Sequence, residues 1–71
     1  MKIKANDYKP NELLKFVRQY SNYTQEELAK KMNKSKNWIK NNEQGLNRYF
    51  FEDMLKICEL CGVEIIFQSK K

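Results

Sequence analysis

Few residues of this chain carry reactive or coordinating chemistry. Two cysteines stand three apart in Cys58-Glu59-Leu60-Cys61, and there is no histidine. Two thiolates supply only half of a four-ligand zinc set, so no metal centre is expected within one chain. Both cysteines fall on the apolar spacing of a helix, where a reduced cysteine acts as a small hydrophobe. A disulfide across three residues of a regular helix is geometrically poor. Without histidine the usual base for a serine or cysteine nucleophile is missing, and there is no glycine-rich phosphate loop. The adjacent carboxylates Glu26-Glu27 and Glu52-Asp53 suit the first turns of helices, where the macrodipole favours negative charge. The expectation is a protein that is not an enzyme and uses neither cofactor nor metal.

The stronger chemical signal is electrostatic. Fourteen Lys and Arg stand against nine Asp and Glu, a formal +5. Between Lys30 and Arg48 lie Lys30, Lys31, Lys34, Lys36, Lys40 and Arg48 against the single acid Glu43, and outside this stretch the charges cancel. A positive field concentrated on one stretch of a small domain suits a polyanionic partner. The competing reading is a solvated helix face kept soluble by lysines. Seventy-one residues make one small domain. Such a chain buries only about 60% of the surface it exposes when unfolded, too little for a deep cleft between subdomains. No stretch reads as a membrane span, and Met1-Lys2-Ile3-Lys4 lacks the apolar core of a signal peptide. A cytoplasmic location is therefore the expectation.

The elements that must present this charge are mostly helical. Leu13, Leu14, Val17 and Tyr20 recur at helical spacing after Pro10, which suits a first turn. Thr24-Gln25-Glu26-Glu27 has the reciprocal capping spacing and opens a second helix at 25–32, with Leu28, Ala29 and Met32 on one face. Asn33-Lys34-Ser35 makes a turn, because Asn tolerates the left-handed conformation and Ser35 is a favoured N-cap. A third helix at about 36–43 turns Ile39 inward and closes at Gly45. A fourth, at about 50–61, carries Phe51, Met54, Leu55, Ile57, Cys58 and Cys61 and stops at Gly62. Phe51 is expected in the core in preference to Phe50, with Leu55 beside it. Val63, Ile65 and Phe67 then alternate, which predicts a strand at 63–68. A lone strand needs a partner, either the same strand of a second chain or the alternating Met1–Lys4 segment.

Two short helices joined by Asn33-Lys34-Ser35 have the form of a helix-turn-helix. From Thr24 to Gly45 the chain resembles the Xre/Cro/phage-repressor family, through Thr24-Gln-Glu-Glu-Leu-Ala-Lys-Lys-Met32, the turn, Ser35 to Ile39, and Glu43-Gln44-Gly45. The likeness extends more loosely from Leu13 to Val63, and the tail is similar to that of small phage, plasmid and antitoxin members. The resemblance implies a mainly α, four- to five-helix, lambda-repressor-like domain over residues 1–71, with its motif at 25–43 and a short C-terminal β-strand. It implies a phosphate contact for Gln25, and groove-facing roles for Lys36, Asn37, Lys40 and Asn41. It also implies an ion pair between Arg18 and Glu43. Asn22 and Asn33 replace turn glycines of the family, Lys34 replaces an apolar turn residue, and Asn42 replaces an apolar inward residue. Asn42 must therefore find a hydrogen-bond partner or lie at a frayed end.

The residues so assigned to DNA contact are Gln25, Ser35, Lys36, Asn37, Trp38, Lys40, Asn41, Asn47, Arg48 and Tyr49. Trp38 either stacks on a sugar or thymine methyl or covers the two motif helices. Val63, Ile65, Ile66 and Phe67 are assigned to dimerisation. The expected function is a sequence-specific, double-stranded-DNA-binding transcriptional regulator, repressor-like and homodimeric, reading the major groove with helix 36–43. The alternative is a helix-turn-helix antitoxin or phage or plasmid accessory protein whose main partner is a toxin or other protein. Structured RNA is a third candidate partner.

Overall fold

A computed structural model describes residues 2–67. The chain runs β1 (Lys2–Lys4), a 3-10 turn (Ala5–Asp7), α1 (Pro10–Tyr20), α2 (Gln25–Met32), α3 (Lys36–Glu43), α4 (Phe51–Cys61) and β2 (Glu64–Ile66). The architecture is mainly helical: among the described residues, four α-helices and a short two-stranded parallel sheet.

Local sequence explains where each helix begins. Pro10 takes the first position of α1, where its missing N–H costs nothing, and the Glu12 carboxylate accepts from the Lys9 backbone N–H. Thr24 Oγ1 accepts from the Glu27 N–H at 3.0 Å, while Glu27 Oε1 accepts from the Thr24 N–H at 2.9 Å. The Thr24 N–H, donating to the ionised carboxylate, is the largest cause of a lowered Glu27 pKa. Ser35 Oγ accepts from the Trp38 N–H, and Asp53 accepts from the Phe50 N–H, to start α3 and α4.

The four helices also end alike. A single residue of positive φ follows each one: Asn22 (60°), Asn33 (57°), Gly45 (78°) and Gly62 (66°). The next N–H reaches back five residues in every case, Tyr23 to Arg18, Lys34 to Ala29, Leu46 to Asn41 and Val63 to Cys58. This closure satisfies orphaned carbonyls in the last turn and reverses the chain sharply. Asparagine does at 22 and 33 what glycine does at 45 and 62, since its short polar side chain tolerates the left-handed region.

The core joins Leu13, Leu14 and Val17 of α1 to Leu28, Ala29 and Met32 of α2, Ile39 of α3, and Met54, Ile57 and Cys58 of α4. Ile3 and Val63 complete it. Two residues expected in the core, Phe51 and Leu55, lie outward, as does Tyr20 at the end of the apolar stripe of α1. Phe51, Leu55 and Tyr20 are 57%, 51% and 49% exposed. Met54, Ile57 and Cys58, at helical spacing, fill the buried face of α4, so Leu55 points to its flank. Phe51, at the first position of α4, instead lays its ring against Phe67 at 5.8 Å between centroids. Tyr20 is the last residue of α1, beyond the packed stripe.

The strand question resolves within the chain. β1 pairs with β2 in parallel, with Lys2 opposite Glu64, Ile3 opposite Ile65 and Lys4 opposite Ile66. A parallel pair needs a long crossover, and here all four helices form it. The strand is shorter than the expected 63–68: Val63 precedes it, buried, and Gln68 lies outside the described residues. Of the residues assigned to dimerisation, Val63 belongs to the chain's own core and Ile65 is half-buried. Only Ile66 and Phe67 are exposed. No helix among the described residues is long and apolar enough to cross a membrane.

Candidate nucleic-acid interface

α2 and α3, joined by the Asn33–Ser35 turn, pack against each other, and α1 also packs on α3. This arrangement sorts the residues of α3 into two faces. Ile39, Asn42 and Glu43 are buried. Lys36, Asn37 and Lys40 are exposed, and Trp38 and Asn41 are half-buried. Ser35 is spent on capping, with its hydroxyl accepting from the Trp38 N–H at 3.0 Å.

α3 is held in place by charge as well as packing. Arg18 of α1 donates from Nε to Glu43 Oε2 at 2.6 Å and from Nη2 to Oε1 at 2.9 Å. Its Nη1 donates to the Tyr23 carbonyl at 2.8 Å, so one guanidinium ties α1, the α1–α2 turn and α3 together. The two side chains are 12% and 3% exposed. Gln25 Nε2 also donates to Glu43 Oε1, at 3.2 Å, and Asn11 Nδ2 donates to the Glu43 carbonyl. The Glu43 carboxylate thus accepts three hydrogen bonds, which offset the cost of burying its charge. Neither the Gln25 nor the Asn11 contact follows from sequence spacing, because both partners arrive from distant turns.

The Gln25 contact qualifies the phosphate role assigned to that residue: one of its two amide N–H donors is committed to Glu43, which leaves one. Arg18, Thr24, Gln25, Glu26 and Lys36 do line one shallow recess at the start of α2. The recess brings Lys36 beside the N-terminus of α2, whose free N–H groups and dipole suit an anion.

Asn42 is 1% exposed. Its Nδ2 donates to the Trp38 carbonyl at 2.7 Å, and its Oδ1 is buried with no hydrogen-bond partner among the described residues. Half of the requirement read from the sequence is therefore met, within a helix turn that stays formed. Lys34, the other departure from the family pattern, turns outward, with its ammonium 5.1 Å from the centre of the Trp38 ring. Lys31 sits likewise 5.3 Å from the Tyr23 ring. Trp38 packs against the core beneath that ammonium. The indole thus packs on the core while keeping part of its surface in solvent.

The loop after α3 divides the remaining assignments. Asn47 and Arg48 are exposed. Tyr49 is half-buried, and its hydroxyl donates to the Pro10 carbonyl, bolting the loop to the start of α1. Burial pushes its pKa up to about 12. Lys9, Pro10, Asn11, Asn42, Gly45, Asn47, Arg48 and Tyr49 line one recess there.

All six cations between Lys30 and Arg48 are exposed. The two ion pairs among the described residues, Lys2 with Glu64 and Arg18 with Glu43, involve none of them. Cys58 and Cys61 are free thiols. Cys58 is buried with its Sγ 3.7 Å from Met54 Sδ, and burial pushes its pKa up to about 11, which disfavours thiolate chemistry. Among the described residues no three His, Cys, Asp or Glu gather as metal ligands would.

Elsewhere, an apolar groove of about 270 Å³ lies between the starts of α1 and α4 and the end of β2, lined by Tyr8, Leu13, Phe51, Met54, Ile65 and Phe67 among others. Leu46 and Phe50 are also exposed, at 69% and 75%. The chain matches no known protein family and no curated protein.

Proposed function

We propose that this chain is a helix-turn-helix, sequence-specific, double-stranded-DNA-binding regulator, repressor-like in action, with α2 seated on the backbone and α3 in the major groove. The observation that carries this reading is the outward face of α3. Lys36, Asn37, Lys40 and Asn41 point away from a helix whose other face is anchored by Ile39 and the Arg18–Glu43 pair. Ammonium groups supply the sequence-independent attraction to phosphate, and carboxamides supply the hydrogen bonds that distinguish base edges. The six cations from Lys30 to Arg48, none of them in an ion pair among the described residues, supply the surrounding positive field.

A dimer suits this function, because one eight-residue helix reads few base pairs. Two copies related by a two-fold axis would read half-sites about 34 Å apart. Ile66 and Phe67 of the tail, together with Phe51, offer the apolar surface for it. Selection of fragments from random duplex DNA tests the reading, with retention followed against salt. Enrichment of a motif, with affinity falling steeply as salt rises, is expected. No enriched motif and no duplex retention would overturn it.

A second reading is favoured by the exposed aromatics Phe50, Phe51 and Phe67. A patch of this kind suits a protein partner, as in an antitoxin or accessory protein that holds a toxin. Binding to a partner with α3 substituted by alanine at Lys36, Asn37, Lys40 and Asn41, but not with Phe51 and Phe67 substituted, would select it.

A further inference from the structure

The carboxamides of α3 permit a statement about which bases are read, resting on the DNA-binding reading above. Asn37 and Asn41 stand one helical turn apart, about 6 Å along the axis and about 40° around it. Both lie on the side of α3 away from the buried Ile39, Asn42 and Glu43. Lys36 and Lys40 run beside them at the same spacing. Trp38 borders the opposite side, with the Lys34 ammonium against its ring.

Of the other asparagines, Asn11 donates to the Glu43 carbonyl and Asn42 is buried against the Trp38 carbonyl, while Asn33 and Asn47 lie in the turns on either side of α3 and not on its outward face. Asn37 and Asn41 make no side-chain hydrogen bond among the described residues, so each carboxamide keeps its donor and its acceptor for a ligand.

A carboxamide presents one donor beside one acceptor. In the major groove, adenine alone of the four bases matches this with an acceptor at N7 beside a donor at N6. Guanine offers two acceptors there, so the carboxamide oxygen meets an oxygen. Base pairs rise 3.4 Å per step, and the separation along α3 therefore corresponds to neighbouring or next-neighbouring pairs.

We infer that each half-site of the DNA bound by this protein contains two adenines within three consecutive base pairs, one read by Asn37 and the other by Asn41. The Lys36 and Lys40 row lies against the flanking phosphates and guanine edges.

The test is selection from random duplex DNA with the full chain and with Asn37→Ala and Asn41→Ala, each checked for unchanged thermal unfolding. The expected result is two adenine positions in the wild-type motif. Each variant should lose preference at one of them by about five- to 150-fold, the discrimination of a good bidentate contact, and keep the other. A wild-type motif without such adenines, or variants that enrich the wild-type motif unchanged, would overturn the inference while leaving DNA binding intact. Absence of any enrichment would overturn DNA binding itself, and the base assignment with it.

Discussion

Arg18 and Glu43, twenty-five residues apart, meet through two parallel charge-assisted hydrogen bonds of 2.6 and 2.9 Å, in a site where both side chains are almost removed from solvent. The guanidinium fork matches the carboxylate in a way an ammonium cannot. The pair ties α3 to α1 beside the buried Ile39, and so helps to hold the outward face in place. Removing one member leaves a buried charge unpaired. Arg18→Met and Glu43→Gln are each expected to lower stability by about 3 kcal/mol or more. The double variant should lose less than the sum of the two. Urea unfolding of all four proteins measures the coupling, and strict additivity would contradict a linked pair.

Asn42 invites the opposite experiment. Its buried Oδ1 lacks a partner among the described residues, and its Nδ2 bond is made to a carbonyl in its own helix. Asn42→Leu removes the unsatisfied group and keeps the same branched skeleton of side-chain heavy atoms, with two bulkier methyl groups in place of the amide. A gain of about 1–2 kcal/mol in unfolding free energy is expected. A loss with leucine that the smaller Asn42→Ala does not share would mean overpacking, and a loss in both would mean that Oδ1 is satisfied in solution.

The left-handed asparagines predict a residue-specific response. At Asn33, with φ of 57°, alanine should cost about 1 kcal/mol because its Cβ meets the following carbonyl oxygen. Glycine should be nearly neutral. Thermal unfolding of Asn33→Ala and Asn33→Gly distinguishes this local strain from a packing effect, which glycine would not spare.

Cys58 gives the stability a pH dependence. Burial raises its pKa from 9.0 to about 11, so the folded state holds the thiol proton more tightly than the unfolded chain does. The stabilisation is therefore complete below pH 9.0 and is lost as pH rises towards about 11. Tyr49 adds the same sign between 10.0 and about 12. Unfolding free energy followed from pH 8 upward should fall through this window, and Cys58→Ala should remove the lower part of the decline. Native Cys58 should also react with iodoacetamide far more slowly than in the unfolded chain.

Charge location sets the last prediction. Lys36→Gln and Arg48→Gln should each weaken duplex binding and flatten the plot of log affinity against log salt by about one unit if they meet phosphate. Lys2→Gln and Lys4→Gln, on β1 and outside the basic stretch, should change it much less. Equal effects at all four positions, followed by fluorescence anisotropy with a labelled duplex, would show a diffuse field without a footprint.

Much of this molecule is determined by residues that lie close together in the chain. Thr24 with Glu27, Ser35 with Trp38, and the Gly or Asn after each helix act across a few residues, so the bounds of α2 and α3 and the turn between them are written locally. The concentration of cations from Lys30 to Arg48 is likewise plain in composition, and helical spacing alone turns Asn37 and Asn41 away from Ile39. What only the tertiary structure decided are the contacts between distant segments. Periodicity marks Phe51 and Leu55 as apolar but cannot say which face of α4 its neighbours cover. The strand at the end of the chain carries no label for its partner, and the pairing with Lys2–Lys4 depends on four helices returning it to the start. Gln25 reads as a free amide until Glu43 arrives beside it, eighteen residues later. The physical reason is the same in each case. Hydrogen bonds across three to five residues form wherever the local backbone allows, whereas burial and long-range pairing depend on where every other element has packed.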